Sequence, residues 1–457
     1  MTTAGPRFRP LVERRLVTRI PFPRLISALA VLIIALLLVW GLVTPWGLGL
    51  DFANFYDIGR KTRLGEFDNL YDAWAPIGGQ EPLGHMKFLG FPIAGYLYTP
   101  LSLFSPHIAI FVFKLAGSAA VVAGLALLYR QCRPLAARPE TYLALFLVAA
   151  MFWQPFWTFL RVGGQTTPFA FLLLVIAHGV YVRNRMVAAA LLMSAIVVLK
   201  PVFAPMAILL FVVSGNRFRL TALIVMAVLT AASLAIYGWA PHAQFLERLA
   251  MQDNRLLGPW MNSAPFAWIS GLLIDPAIYG SDTYLQSWQT APIRVLRPLT
   301  AGLVCYGGYL SLRGDLPGHA RRQVMFLTGI MVVFSLSAVL WAHYLMWLFP
   351  VIALLIAGRR YLPAAALCLL ALAIVLGLCQ SYILLRQLEL HVGFRNYANA
   401  TGFGLVKSLP VFLILVVWIV WRRDIAQILR DPACAFRGQE SPRIQQYIVD
   451  KVKKPAR

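Results

Sequence analysis

The sequence predicts an all-α polytopic membrane protein, and three observations carry that prediction. Hydrophobic residues fill 60% of the 457 positions and charged residues only 13%, where a soluble chain carries roughly 25% charged residues. Mean hydropathy is +0.70, and apolar runs such as Leu25 to Val43 and Tyr361 to Leu385 exceed what water-soluble cores can hide. The net charge of +23, from 41 Lys+Arg against 18 Asp+Glu, would suggest a nucleic-acid partner in a soluble protein. Here it sorts by side of the membrane, and no nucleic acid is called for.

Apolar runs bounded by charges give about twelve spans in order: 25–46, 108–129, 141–160, 168–182, 187–199, 202–214, 219–239, 292–312, 323–341, 345–358, 361–385 and 405–421. An even number of crossings puts both termini on one side. That side holds 27 Lys+Arg against seven acids, and the other 13 against 11. The positive-inside bias therefore places both termini in the cytoplasm of a multi-pass inner or plasma membrane protein. Three regions follow: a basic tail over 1–24, one transmembrane domain over 25–421, and a second basic tail over 422–457. The first tail has six arginines but no small-residue cleavage site after a short apolar region, so it reads as an uncleaved signal-anchor. Membrane lipids are the surrounding partner, with anionic headgroups a secondary contact of the tails. The five cysteines suggest no disulfide framework, since none falls in an outer loop.

Cytoplasmic connections are short, whereas 47–107, 240–291 and 386–404 form longer outer loops. Long ordered loops are usually functional, so a site facing the extracytoplasmic space is expected. Spans 187–199 and 202–214 have thirteen residues each, about 20 Å of helix against a ~30 Å apolar layer. Lys200-Pro201 between them should lie below the outer surface, beside a watery cavity or a bound anion. A lysine snorkelling to the interface accounts for it as well. Upstream, Arg161-Val-Gly-Gly-Gln165 offers a backbone free to turn and an arginine able to hold a phosphate, or a plain interhelical turn. Asp51 follows the first span in Asp51-Phe-Ala-Asn-Phe-Tyr56-Asp57. It is either a solvated flank or a carboxylate held at the interface as a base. His343, in Trp341-Ala-His343-Tyr344, is either a helix-end residue or a proton donor. No metal-ligand spacing, nucleotide loop or dinucleotide fingerprint occurs, so no metal and no cofactor is expected.

Four segments resemble glycosyltransferase family 87. Asp51-Phe-Ala-Asn-Phe-Tyr56, followed by Gly65 and Leu70-Tyr71-Asp72, is similar to the family's first-loop acid with a downstream glycine and Tyr-Asp. Tyr98-Thr-Pro100 leads into the next span where the family has Tyr-Pro-Pro, so Thr99 departs from it. Gly164-Gln165 and then Val-Leu-Lys200-Pro201 resemble the family's most recognisable stretch. Ser337-Ala-Val-Leu-Trp341-Ala-His343-Tyr344 is similar to a Ser-Pro-x-Ser-Trp-x-His-His segment but lacks its proline and second histidine. Together these cover roughly 51–215 and 335–358.

The resemblance implies a GT-C fold and a polyprenyl-phosphate sugar donor, typically of mannose, with a glycan or glycolipid as acceptor. Asp51 would be the general base. Lys200 and Arg161, from their charge and depth, would hold the donor phosphate, with His343 donating a hydrogen bond or proton. Gln165, Tyr56, Tyr71 and Tyr98 would line the substrate site. One base and direct displacement imply inversion at the anomeric carbon. Two other readings stand beside this one. An O-antigen polymerase or ligase would favour an outer-loop arginine constellation. A lipid or solute transporter would use Lys200 or His343 as a gate.

Overall fold

The computed structural model describes residues 22–43, 50–72, 90–161, 164–251, 262–273, 287–313, 315–380 and 397–430, and no strand occurs among them. Each of the twelve apolar runs is mainly helical where it is described, but among the described residues only four helices are long and apolar enough to cross a bilayer by length and composition: Phe22–Val43, Pro106–Leu135, Asn216–Tyr237 and Gly402–Val420. The other runs form shorter apolar helices or helices diluted by arginine and proline.

α1 (Phe22–Val43) precedes α2 (Leu50–Leu64), the polar helix at the start of the expected first outer loop. A short helical run over 92–103 then leads into α3 (Pro106–Cys132). The expected span 141–160 is two helices, α4 (Pro139–Phe152) and α5 (Pro155–Arg161). Pro155 has no N–H to continue the ladder, and at the break the Trp153 indole donates to the Leu345 carbonyl at 2.9 Å. Next come α6 (Thr167–Val182), α7 (Met186–Leu199) and α8 (Ala204–Val213), with the 3-10 turn Pro201–Phe203 between the last two.

α9 (Asn216–Tyr237), α10 (Ala240–Met251) and α11 (Ala267–Leu273) lead to α12 (Ser287–Leu312) and α13 (Gly318–Leu336). A seven-residue 3-10 segment, Ala342–Leu348, precedes α14 (Phe349–Ala357). The run at 361–385 is helical as α15 (Ala364–Leu376) and tightens into the 3-10 turn Gly377–Gln380. α16 (Tyr397–Val420) and α17 (Arg422–Arg430) complete the described chain. Part of the second basic tail is therefore an ordered amphipathic helix, with Ile425, Ile428 and Leu429 buried. The first 21 residues, those beyond 430 and much of the outer loops lie outside the described residues.

Small and aromatic residues set the packing, as expected where helices associate without a hydrophobic drive from water. α3 packs on α6, where Gly124 admits the Phe171 ring to within 2.6 Å of the position a Cβ would take. Trp153 and Trp347 are fully buried at the centre. Trp347 meets Phe203 with ring centroids 4.5 Å apart, and its indole donates to the Thr167 carbonyl at 3.3 Å. Thus the 3-10 segment 342–348 is fixed against both α6 and the turn after Lys200.

α2, polar and fifteen residues long, is clamped against the 92–103 run and α3. Its buried polar side is neutralised internally by Lys61 Nζ on Asp57 at 2.9 Å and Arg60 on Asp57 at 3.2 Å. Tyr56 donates its hydroxyl to the Phe104 carbonyl at 2.9 Å. Gly59 permits this close approach, because a Cβ there would collide with the Tyr98 carbonyl group. Backbone cannot rotate aside, so Gly59→Ala should cost about 1–3 kcal/mol as an overpacking change. A thermal melt of the purified protein indistinguishable from wild type would contradict that.

Candidate active site

The break between α5 and α6 and the break between α7 and α8 meet the start of α2. Asp51 lies in the first turn of α2, where the helix dipole favours a negative charge. Gly164 makes this approach possible. Its φ of +75° is left-handed, which glycine adopts without cost, and the position a Cβ would take is 3.2 Å from Phe52 Cβ and 3.1 Å from the Phe113 ring. The chain then turns directly into Gln165, which is 3% exposed.

Gln165 joins two opposite charges. Its Oε1 accepts from Lys200 Nζ at 3.5 Å, and its side chain also hydrogen-bonds the Asp51 carboxylate. Burial pushes the Asp51 carboxyl above the ordinary aspartate range, opposed by the charge of Lys200 and the Gln165 hydrogen bond. Lys200 itself is buried in extended backbone between α7 and the 3-10 turn. Its ammonium stands 5.0 Å over the Tyr344 ring, a cation–π contact that is strong where water is excluded.

Tyr344 brings in the neighbouring His343, with ring centroids 4.8 Å apart and the planes near perpendicular. The other side of His343 is stacked parallel on Trp341 at 6.5 Å. His343 is 3% exposed, and its Nε2 has no hydrogen-bond partner among the described residues. A buried ring nitrogen left this way costs free energy unless a ligand or water meets it.

Asp51, Gln165, Lys200 and His343 are thus brought together, as the sequence suggested. The four other expected residues stand differently. Tyr98 is buried behind the group, its ring stacked on Phe55 at 4.8 Å. Tyr56 commits its hydroxyl to Phe104, as described. Tyr71 donates to the Gly90 carbonyl at 2.6 Å, under the guanidinium of Arg248 at 5.3 Å, in a separate cluster with Ile58, Tyr237 and Phe245. Arg161 ends α5, but its side chain lies outside the described residues.

One member of the group was not singled out from sequence. Lys407 of α16 is 2% exposed, and its charge acts on His343 together with that of Lys200. The available signal was the one that marks Lys200, a lysine inside an apolar stretch; in the sequence count it entered only as an outer-side charge.

The model of glycosyltransferase family 87 matches residues 88–336, just over half of the chain. The chain belongs to that family. Gln165 and Lys200 lie inside the matched segment of this family 87 glycosyltransferase, while Asp51, His343 and Lys407 lie outside it and reach the site through the fold. The apo crystal structure of ArnT from Cupriavidus metallidurans is similar at 14% identity and a TM-score of 0.39, over 86% of this chain and 78% of that one. No curated protein matches the sequence.

Proposed function

We propose that this membrane glycosyltransferase moves a hexose, mannose, from a polyprenyl-phosphate donor to an acceptor hydroxyl at the extracytoplasmic face, with inversion at the anomeric carbon. The observation that carries the reading is the carboxylate of Asp51 bridged through Gln165 to the ammonium of Lys200. Asp51 is half-buried, so it can meet an acceptor and still be raised toward the range where a carboxylate works as a base. The acceptor O–H gives its proton to Asp51 as its oxygen bonds the anomeric carbon. The carbon–oxygen bond to phosphate breaks, and its electron pair leaves with the phosphate. Lys200 and Arg161 neutralise that charge in a site sheltered from water, where such stabilisation is most effective. His343, with Nε2 unsatisfied, supplies a hydrogen bond to the same anion, Tyr98 backs the site, and Tyr56 and Tyr71, whose hydroxyls close on the Phe104 and Gly90 carbonyls, hold the first loop in place.

The reading carries a GT-C arrangement with twelve crossings and both termini in the cytoplasm. It is supported by the helical character of the apolar runs among the described residues and by the charge bias of the connections. Two donor classes separate in one assay. Purified protein in liposomes, given a lipid acceptor extract, should consume polyprenyl-phosphate β-mannose and yield an α-mannoside, while a nucleotide-linked mannose gives no product. Retained configuration in the glycoside, or use of the nucleotide sugar without the lipid, would overturn the proposal.

A further inference from the structure

Lys407 has no place in the chemistry derived so far, yet its burial is costly and unexplained by structure alone. It lies about 15 Å along α16 from the first residue at 1.5 Å per residue, and is 2% exposed. Among the described residues the ion pairs are Arg24 with Glu140, Arg60 with Asp57 and Glu66, and Lys61 with Asp57. None reaches Lys407. The ionisable groups acting with it are the Cys379 thiol and His343. A buried charge without a counterion is rare and expensive in a membrane protein.

The surroundings hold the backbone of this lysine in place. Gln380 Nε2 donates to the Lys407 carbonyl at 3.0 Å, while Gln380 Oε1 accepts from Ser263 at 2.8 Å. Ser408 donates to the Ala264 carbonyl at 2.7 Å. Asn262 ties the same segment to the chain leading into His343, giving its amide to the Ala338 carbonyl at 2.9 Å and accepting from the Leu340 N–H at 2.9 Å. Lys407 and the chain leading into His343 are therefore mounted on one hydrogen-bonded frame. The charges of Lys200 and Lys407 both act on His343, whose Nε2 has no hydrogen-bond partner among the described residues.

We infer that Lys407 is a further cation of the donor-phosphate subsite, holding a phosphate oxygen beside His343 together with Lys200 and Arg161. The inference rests on the polyprenyl-phosphate donor reading. Charge balance supports it. The donor phosphodiester carries one negative charge, and breaking its bond to the sugar leaves a monoester with up to two. Lys200 is already linked to a carboxylate through Gln165, so Arg161 matches the single charge of the diester and Lys407 adds the positive charge that the departing monoester calls for.

The test is binding of a medium-chain polyprenyl monophosphate, with the uncharged polyprenol as reference, to the full-length protein in lipid nanodiscs. Wild type should prefer the phosphate over the alcohol. Lys407→Met should weaken phosphate binding at least tenfold and leave polyprenol binding unchanged, and Lys407→Arg should restore most of the loss. A melting curve accompanies each variant, and Lys407→Gln replaces Lys407→Met if the latter melts early. Equal phosphate binding by wild type and a folded neutral variant would overturn the role of Lys407 and leave the donor reading standing. No preference for phosphate in wild type would overturn both.

Discussion

Asp51→Asn should lower turnover of the lipid donor by about 10²–10⁴-fold, the usual contribution of a positioned general base. Asparagine keeps the shape of the side chain and can still pair with the Gln165 amide, so the loss reports proton transfer rather than architecture. The effect should fall on kcat and kcat/KM together, since the donor's phosphate and tail do not touch this carboxylate. Wild type should also show an acid limb in kcat/KM above the ~3.9 of an ordinary aspartate, because burial raises the Asp51 carboxyl. Below that limb the base is protonated and activity falls. Full turnover by a folded Asp51→Asn protein would remove this residue from the mechanism.

The second large effect is expected at Lys200. Lys200→Met should reduce kcat by about 10²–10³-fold, as when one group aimed at developing charge is removed. It should also move the acid limb to higher pH. The charge of Lys200 pulls the Asp51 carboxyl down against burial, so without it the carboxyl holds its proton to a higher pH. The two roles make the residues interdependent, and the double variant Asp51→Asn with Lys200→Met should lose less than the two single losses combined. Fully additive losses, with an unmoved acid limb, would show that Lys200 acts without reference to Asp51.

The parts of this site that sequence made legible are those that break a local rule. Asp51 is an acid just past an apolar helix, Lys200 is a charge between two helices too short to cross, and Gln165 follows a glycine that must turn left-handed. Each anomaly has a physical cost, and the fold answers those costs by bringing the three together. Lys407 escaped because one lysine near the start of a long apolar helix reads as an ordinary flank; only its burial and the Gln380 and Ser408 frame distinguish it. Tyr56 and Tyr71 show the opposite difficulty. A tyrosine in an outer loop has the same appearance in sequence whether its hydroxyl meets a sugar or closes on a backbone carbonyl, as these do at Phe104 and Gly90. The helical segments were readable from apolar periodicity and length. Pro155 marks the break at Trp153 locally, whereas the 3-10 segment before Phe349 is fixed by an indole hydrogen bond and ring packing between distant segments, which no local pattern encodes.

The brevity of α7 and α8 reaches beyond the protein itself. Fourteen and ten residues long, they turn outward apolar side chains such as Leu191, Ile208 and Val212, so lipid borders a strip lower than the bilayer's own apolar layer. A membrane meets such mismatch by thinning. Around this edge the leaflet should dip, bringing lipid headgroups toward the level of Lys200.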